Sequence, residues 1–197
     1  AKTKFNELYS SFYASSSPIV YIPTHKYLKL KDNMLLIDFL TPSMCDSIIE
    51  LSEANGCYKN DEGDAVPGQE LRLHEIGLSE KLAFHWEKCV APILNEEFYP
   101  CDYYGIRDAF IIKYTMEGQR DLRLHSDASL VTGSIKLNDD YTGGELYFPR
   151  QDFSNKDIPV GTCILFPGQV THPHTSQLLK SGTKYSLTIW TKRTHND

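Results

Sequence analysis

The chain has 197 residues, 41% of them hydrophobic and 23% charged, with a formal net charge of −6. That length and balance fit a single domain spanning 1–197 with a sizeable core, and they exclude a disordered or fibrous chain. The acidic balance without a basic run argues against a nucleic-acid partner, and no apolar run nears the ~20 residues of a membrane span.

In chain order, the stretch to about Lys31 mixes Ser, Tyr and Pro without a period and reads as an arm or irregular edge segment. It has no apolar signal block, so a soluble, cytoplasmic protein without a membrane partner is expected. MLLIDFL from Met34 reads as a buried strand. Thr41-Pro42 then supplies an N-cap and a first-turn proline for the helix PSMCDSIIELSEAN, with Ile48, Ile49 and Leu51 toward the core. Residues 56–77, rich in glycine and charge, read as an exposed, mobile loop and a candidate lid. A second helix is expected from Ser79 to about Phe98, with Leu82, Trp86, Val90 and Ile93 on one face. After Pro100 come seven short strand-like runs: AFIIKYTM, DLRLHSD, SLVTGSIKLN, GELYFPR, GTCILFPG, VTHPHTS and KYSLTIWTK. Together they predict an antiparallel sandwich or barrel. Cys45, Cys57, Cys89, Cys101 and Cys163 are scattered without a CxxC pair and read as reduced, mostly structural thiols.

In LRLHSDAS, His125 and Asp127 lie two apart at a strand end, so both side chains can leave one face and hold a metal between them. A third ligand is offered by FPGQVTHPHTS, where His172 and His174 are again two apart; spacing alone does not choose between them. Two imidazoles and one carboxylate on one face of an octahedron leave three positions open, the arrangement of non-heme iron(II) oxygenases, whereas zinc favours a tetrahedron. Lys184, ten residues past His174 at the start of KYSLTIW, would need an anion if it were buried.

The segments HSD, GGELYFP and PVGTCILFPGQVTHPHTSQLLKSGTKYSLTIW resemble the catalytic core of prolyl and lysyl hydroxylases, iron(II)- and 2-oxoglutarate-dependent dioxygenases, over roughly residues 34 to 192. Within that group, YTMEGQRDLRLHSDASLVTGSIKLNDDYTGGELYF is most similar to the lysyl hydroxylase catalytic domain. The resemblance implies a mainly β fold with flanking helices. Its core would be a double-stranded β-helix, or jelly roll, over about 103–192, supported by a strand and helices over about 34–99. It selects His174 as the third ligand, because the distal histidine precedes the basic residue by ten positions with a glycine, Gly182, two before it; His172 becomes a neighbour. It assigns Lys184 to the distal carboxylate of 2-oxoglutarate, with Tyr114 and Ser186 as further anchors and Trp190 nearby. Gly143 and Gly144 form the family's tight turn.

The resemblance further implies Fe(2+), 2-oxoglutarate and O2, ascorbate as reductant, and a peptide or protein substrate hydroxylated with release of succinate and CO2. Lysine at position 184 matches prolyl hydroxylases, whereas lysyl hydroxylases carry arginine there, so the substrate side chain stays open. The competing readings are a cupin-like metal-binding or sensing domain without turnover, and a dioxygenase acting on a non-peptide substrate.

Overall fold

The structure, a computed structural model, describes residues 21–22, 25–55, 57–60, 63–98 and 103–197. It runs through β1 (Tyr21–Ile22), β2 (His25–Lys29) and β3 (Leu35–Asp38) into helix α1 (Pro42–Asn55). Then come β4 (Glu70–Arg72), a 3-10 turn (Leu73–Ile76), α2 (Ser79–Cys89) and α3 (Ala91–Glu97). The remainder is strand: β5 (Ile106–Tyr114), β6 (Leu122–His125), β7 (Val131–Lys136), β8 (Thr142–Gly143), β9 (Leu146–Phe148), β10 (Phe153–Ser154), β11 (Thr162–Pro167), β12 (His174–Ser176), β13 (Leu179–Ser181) and β14 (Lys184–Thr191).

Among the described residues the strands form a large sheet ordered β1-β2-β3-β11-β7-β14-β5-β4, a small sheet β10-β9-β12-β6 and a pair β13-β8. The seven expected runs carry β5, β6, β7, β9, β11, β12 and β14, and in chain order they enter the large and small sheets alternately, pairing antiparallel. This winding is the double-stranded β-helix, and the helices flank it as the mainly β reading expects.

Strand period decides which face does what. Along β14, Leu187 and Ile189 are fully buried in the core shared with the helices, while Lys184, Ser186, Thr188 and Trp190 line a cavity on the opposite face. The same alternation on β7 sends Ile135 into the core and Thr132 and Ser134 to the cavity. A smaller apolar cluster of Leu36, Phe148, Ile164 and Phe166 joins β3, β9 and β11.

Helix α1 starts as its sequence dictates: the Met44 N–H donates to Thr41 Oγ1 at 3.2 Å, Ile48 is buried, and Ile49 and Leu51 pack partly buried against the core. The expected second helix is instead two. Pro92, at the second position of α3, has no N–H to donate to Lys88 and its ring crowds that carbonyl, so the helix breaks at Val90. Leu82, Trp86, Val90 and Ile93 are buried nonetheless. Trp86 lies fully buried across β7, where a Cβ on Gly133 would come within 2.9 Å of the indole. Replacing it with alanine is expected to cost about 3–5 kcal/mol, read as a lowered urea midpoint.

The loop expected over 56–77 is shorter than that. Residues 56, 61 and 62 lie outside the described residues, but β4 pairs with β5, Leu71 and Leu73 are buried, and Lys59 and Glu70 exchange backbone hydrogen bonds at 3.0 and 2.9 Å. An edge strand of only three residues, Glu70–Arg72, lay within that stretch. At the other end, residues 1–20, 23 and 24 of the expected arm lie outside the described residues, whereas β2 is a regular strand paired with β3. No described helix is long and apolar enough to cross a membrane. Cys45, Cys89 and Cys163 are buried free thiols and Cys57 an exposed one; Cys101 lies outside the described residues.

Candidate metal centre

His125 ends β6 and His174 begins β12, and the two are direct cross-strand partners in the small sheet. Asp127 follows in the loop between β6 and β7, its N–H donating to Gly168 O at 2.7 Å. The Nε2 atoms of both histidines lie 3.4 Å from Asp127 Oδ1, and the three ligand atoms lie within 4.8 Å of one another. Each ring is aimed by its own backbone. His125 Nδ1 donates to Arg123 O at 2.7 Å and His174 Nδ1 to His172 O at 3.0 Å, so Nε2 of each ring faces the aspartate, where a protonated Nε2 donates to the carboxylate and an unprotonated one offers its lone pair to a cation. Phe148 and Phe166 pack against the His174 ring at centroid distances of 5.2 and 5.0 Å.

Burial on its own would raise the Asp127 carboxyl pKa, but hydrogen bonds from His125 and His174 outweigh it and hold the group well below the usual carboxylate range. Burial likewise works against a charged His125, yet the Asp127 carboxylate and the Arg123 carbonyl raise its pKa. The donor set is therefore preformed for a divalent cation: two imidazole nitrogens and one anionic oxygen, converging from one side.

His172 is engaged elsewhere. It precedes β12, separated from His174 by Pro173; its Nε2 donates to Asp32 O at 2.6 Å, and Thr171 Oγ1 lies 2.8 Å from its Nδ1. With Nε2 donating to Asp32 and the Nδ1 lone pair facing the Thr171 hydroxyl, it has no free lone pair for a metal.

Across the same cavity, the Lys184 ammonium is buried. It donates to Gly144 O at 2.6 Å and to Ser176 Oγ at 2.8 Å and sits 4.4 Å from the centroid of the Tyr114 ring. Tyr114 is its direct partner across β5 and β14. Among the described residues no carboxylate lies within ion-pair distance of this ammonium; burial, together with Lys136 on β7, pulls its pKa down to about 7, against a smaller upward pull from Glu145. Gly143 and Gly144 adopt φ of 70° and 67°, a left-handed turn that favours glycine, and the second delivers the carbonyl that Lys184 uses.

Ser186 lines the cavity two residues along β14. Trp190 lines it farther along, its ring edge-on to Phe110 at 5.1 Å and its buried Nε1–H without an acceptor among the described residues. The segment after residue 62 reaches this mouth: Asp64 and Val66 line it, and Arg123 ties the segment to β6 by donating to Ala65 O.

No protein-family model matches the chain. It is 34% identical over 140 residues to procollagen-lysine,2-oxoglutarate 5-dioxygenase 2 of Mus musculus, covering 68% of this chain and 18% of that protein. To the procollagen lysyl hydroxylase and glycosyltransferase of Acanthamoeba polyphaga mimivirus it is 28% identical over 174 residues, 82% of this chain and 19% of that one. The chain thus spans about a fifth of the length of these curated relatives. Its fold matches the viral collagen prolyl hydroxylase of Paramecium Bursaria Chlorella virus-1 in its 2OG complex, with a TM-score of 0.62 at 21% identity over 82% of this chain and 96% of that one. A prolyl hydroxylase from Trichoplax adhaerens, solved with a hypoxia inducible factor peptide fragment, gives 0.62 at 17% identity over 82% and 84%. The chain belongs to the prolyl and lysyl hydroxylase family of iron(II)/2-oxoglutarate-dependent dioxygenases.

For a member of this family, several cavity residues escaped the sequence reading. Ser176 holds Lys184, and Thr132, Ser134 and Thr188 add hydroxyls to the cavity floor. Ser176 and Thr188 stand at even steps from His174 and Lys184, so the two-residue strand period already placed them on the right face. Thr132 and Ser134 alternate on β7 in the same way. Asp64 carried no signal, because its loop has no period.

Proposed function

We propose that this chain is an iron(II)- and 2-oxoglutarate-dependent dioxygenase, a single catalytic domain over 1–197, that hydroxylates a C–H bond of a prolyl or lysyl residue in a peptide or protein. The observation that carries this reading is a buried ammonium, without a carboxylate partner among the described residues, in the same cavity as two imidazole nitrogens and a carboxylate converging on one point. The named relatives, which act on procollagen lysine, support the peptide substrate. Free thiols at Cys45, Cys57, Cys89 and Cys163 support a reducing, cytoplasmic setting.

His125 Nε2, Asp127 Oδ1 and His174 Nε2 would hold the metal, and Lys184 would receive the distal carboxylate of 2-oxoglutarate. Once bound, iron supplies the oxidative chemistry, in which substrate C–H, O2 and 2-oxoglutarate give substrate C–OH, succinate and CO2, with ascorbate as reductant. The protein's own work is positional. Tyr114 and Ser176 orient the ammonium, Ser186 offers a further donor to the carboxylate, and the segment carrying Asp64 and Val66 screens the cavity from water. A metal-sensing domain of the same fold would have no use for a desolvated cation beside its ligands.

The direct test measures succinate from 2-oxoglutarate with iron(II) and ascorbate, with and without proline-rich and lysine-containing peptides. Peptide-stimulated succinate and a hydroxylated product are expected; no succinate under any condition overturns the proposal. Lys184 adds a pH signature. With its pKa near 7 in the free protein, binding a carboxylate requires the ammonium form, so above pH ~7 2-oxoglutarate affinity should fall about tenfold per pH unit. Titrations between pH 6 and 9 should show that slope, and Lys184→Arg should flatten it.

A further inference from the structure

The two oxygens of Asp127 have different neighbours. Oδ1 faces both histidine Nε2 atoms at 3.4 Å, while Oδ2 accepts a hydrogen bond from the Thr132 hydroxyl at 2.9 Å. Both residues are buried, Asp127 at 6% exposure and Thr132 at 1%. Thr132 is set in the middle of the large sheet, paired with Phe166 on β11 and with Trp190 on β14, and a β-branched side chain there has little rotamer freedom. The hydroxyl is therefore a fixed donor, and Asp127 Oδ2 has a protein partner before any metal arrives.

Resting on the iron-dependent reading above, we infer that Thr132 is a positioning residue that holds the Asp127 carboxylate to one-oxygen metal coordination. A carboxylate engages a cation through one oxygen or both. If Oδ2 were drawn to the metal, two imidazoles and a chelating carboxylate would fill four of six positions, leaving room for a bidentate 2-oxo acid and nothing else. Held through Oδ1 alone, the triad would fill three, so that a 2-oxo acid could take two more and leave one position for oxygen. Thr132 thereby keeps an oxygen site available by acting through Asp127.

The inference is tested with the whole chain loaded with Mn(II), comparing wild type with Thr132→Val, which keeps shape and removes the donor, and Thr132→Ser, which keeps the donor. Thr132→Ala replaces the valine variant should that one fail to fold. Mn(II) affinity is expected to fall about 10–100-fold in the valine variant and to return in the serine variant. Water-proton relaxation then reports the sixth position. With Mn(II) and 2-oxoglutarate bound, wild type and Thr132→Ser should retain a rapidly exchanging inner-sphere water that Thr132→Val loses. Equal Mn(II) affinity and equal relaxation across the variants would overturn the role of Thr132 alone. Failure of wild type to bind Mn(II) with 2-oxoglutarate would instead strike the proposed function.

Discussion

Lys184→Ala should weaken 2-oxoglutarate binding by about two to three powers of ten, since stranding one member of a buried charge pair costs roughly 3–5 kcal/mol. The loss arises because the cosubstrate's distal carboxylate would then be desolvated against Gly144 O, Ser176 Oγ and the Tyr114 ring with no positive charge to meet it. An anaerobic titration with Mn(II) in place of iron reads it directly, and an unchanged affinity would reject the assignment. The same variant has a second expected result in the free protein. The folded pKa of Lys184 is lowered from the ordinary 10.5 to about 7, so between these values the unfolded chain binds a proton that the folded chain has released. Stability of the wild type therefore rises with pH across that window, and the rise should vanish in Lys184→Ala, measured as urea midpoints at pH 7 and pH 9.

The second large effect separates two histidines only two positions apart. Losing a ligand must cost more than the roughly 10–100-fold that follows loss of an outer hydrogen-bond partner, so His174→Ala should weaken Mn(II) at least about a thousandfold and abolish turnover. His172→Ala should leave Mn(II) affinity within a few-fold. It costs about 0.5–1.5 kcal/mol of stability, because it removes the part-buried hydrogen bond to the Asp32 carbonyl. A His172→Ala protein that loses metal while His174→Ala retains it would reverse the ligand assignment.

Much of the site is legible because strands write side-chain direction into sequence with a period of two. HSD, the step from His174 to Lys184, and the runs flanking them place the ligands and the cation in the order in which the sheets bring them together. What the period cannot show is partnership across long distances. His172 and His174 are equivalent on spacing, and what separates them is a carbonyl 140 residues away in the chain, at Asp32. The desolvation of Lys184 likewise depends on Tyr114 lying opposite it, which only sheet pairing supplies. Strands of two or three residues, such as β4, β8 and β13, are too short to display alternation, so they hid within stretches that read as loops. The division of the second helix at Val90 follows from Pro92 and was within reach of the sequence, but the run of apolar residues on one face masked it.

Strand β14 carries a consequence for how this protein can change. Its odd-numbered residues Leu187 and Ile189 anchor the helices, and its even-numbered residues, from Lys184 to Trp190, furnish the reaction chamber. Point substitutions at even positions can therefore retune chemistry while the scaffold stays intact, and those at odd positions do the reverse. A single-residue insertion within the strand escapes that separation, because it would invert every side chain beyond it and forfeit both properties together.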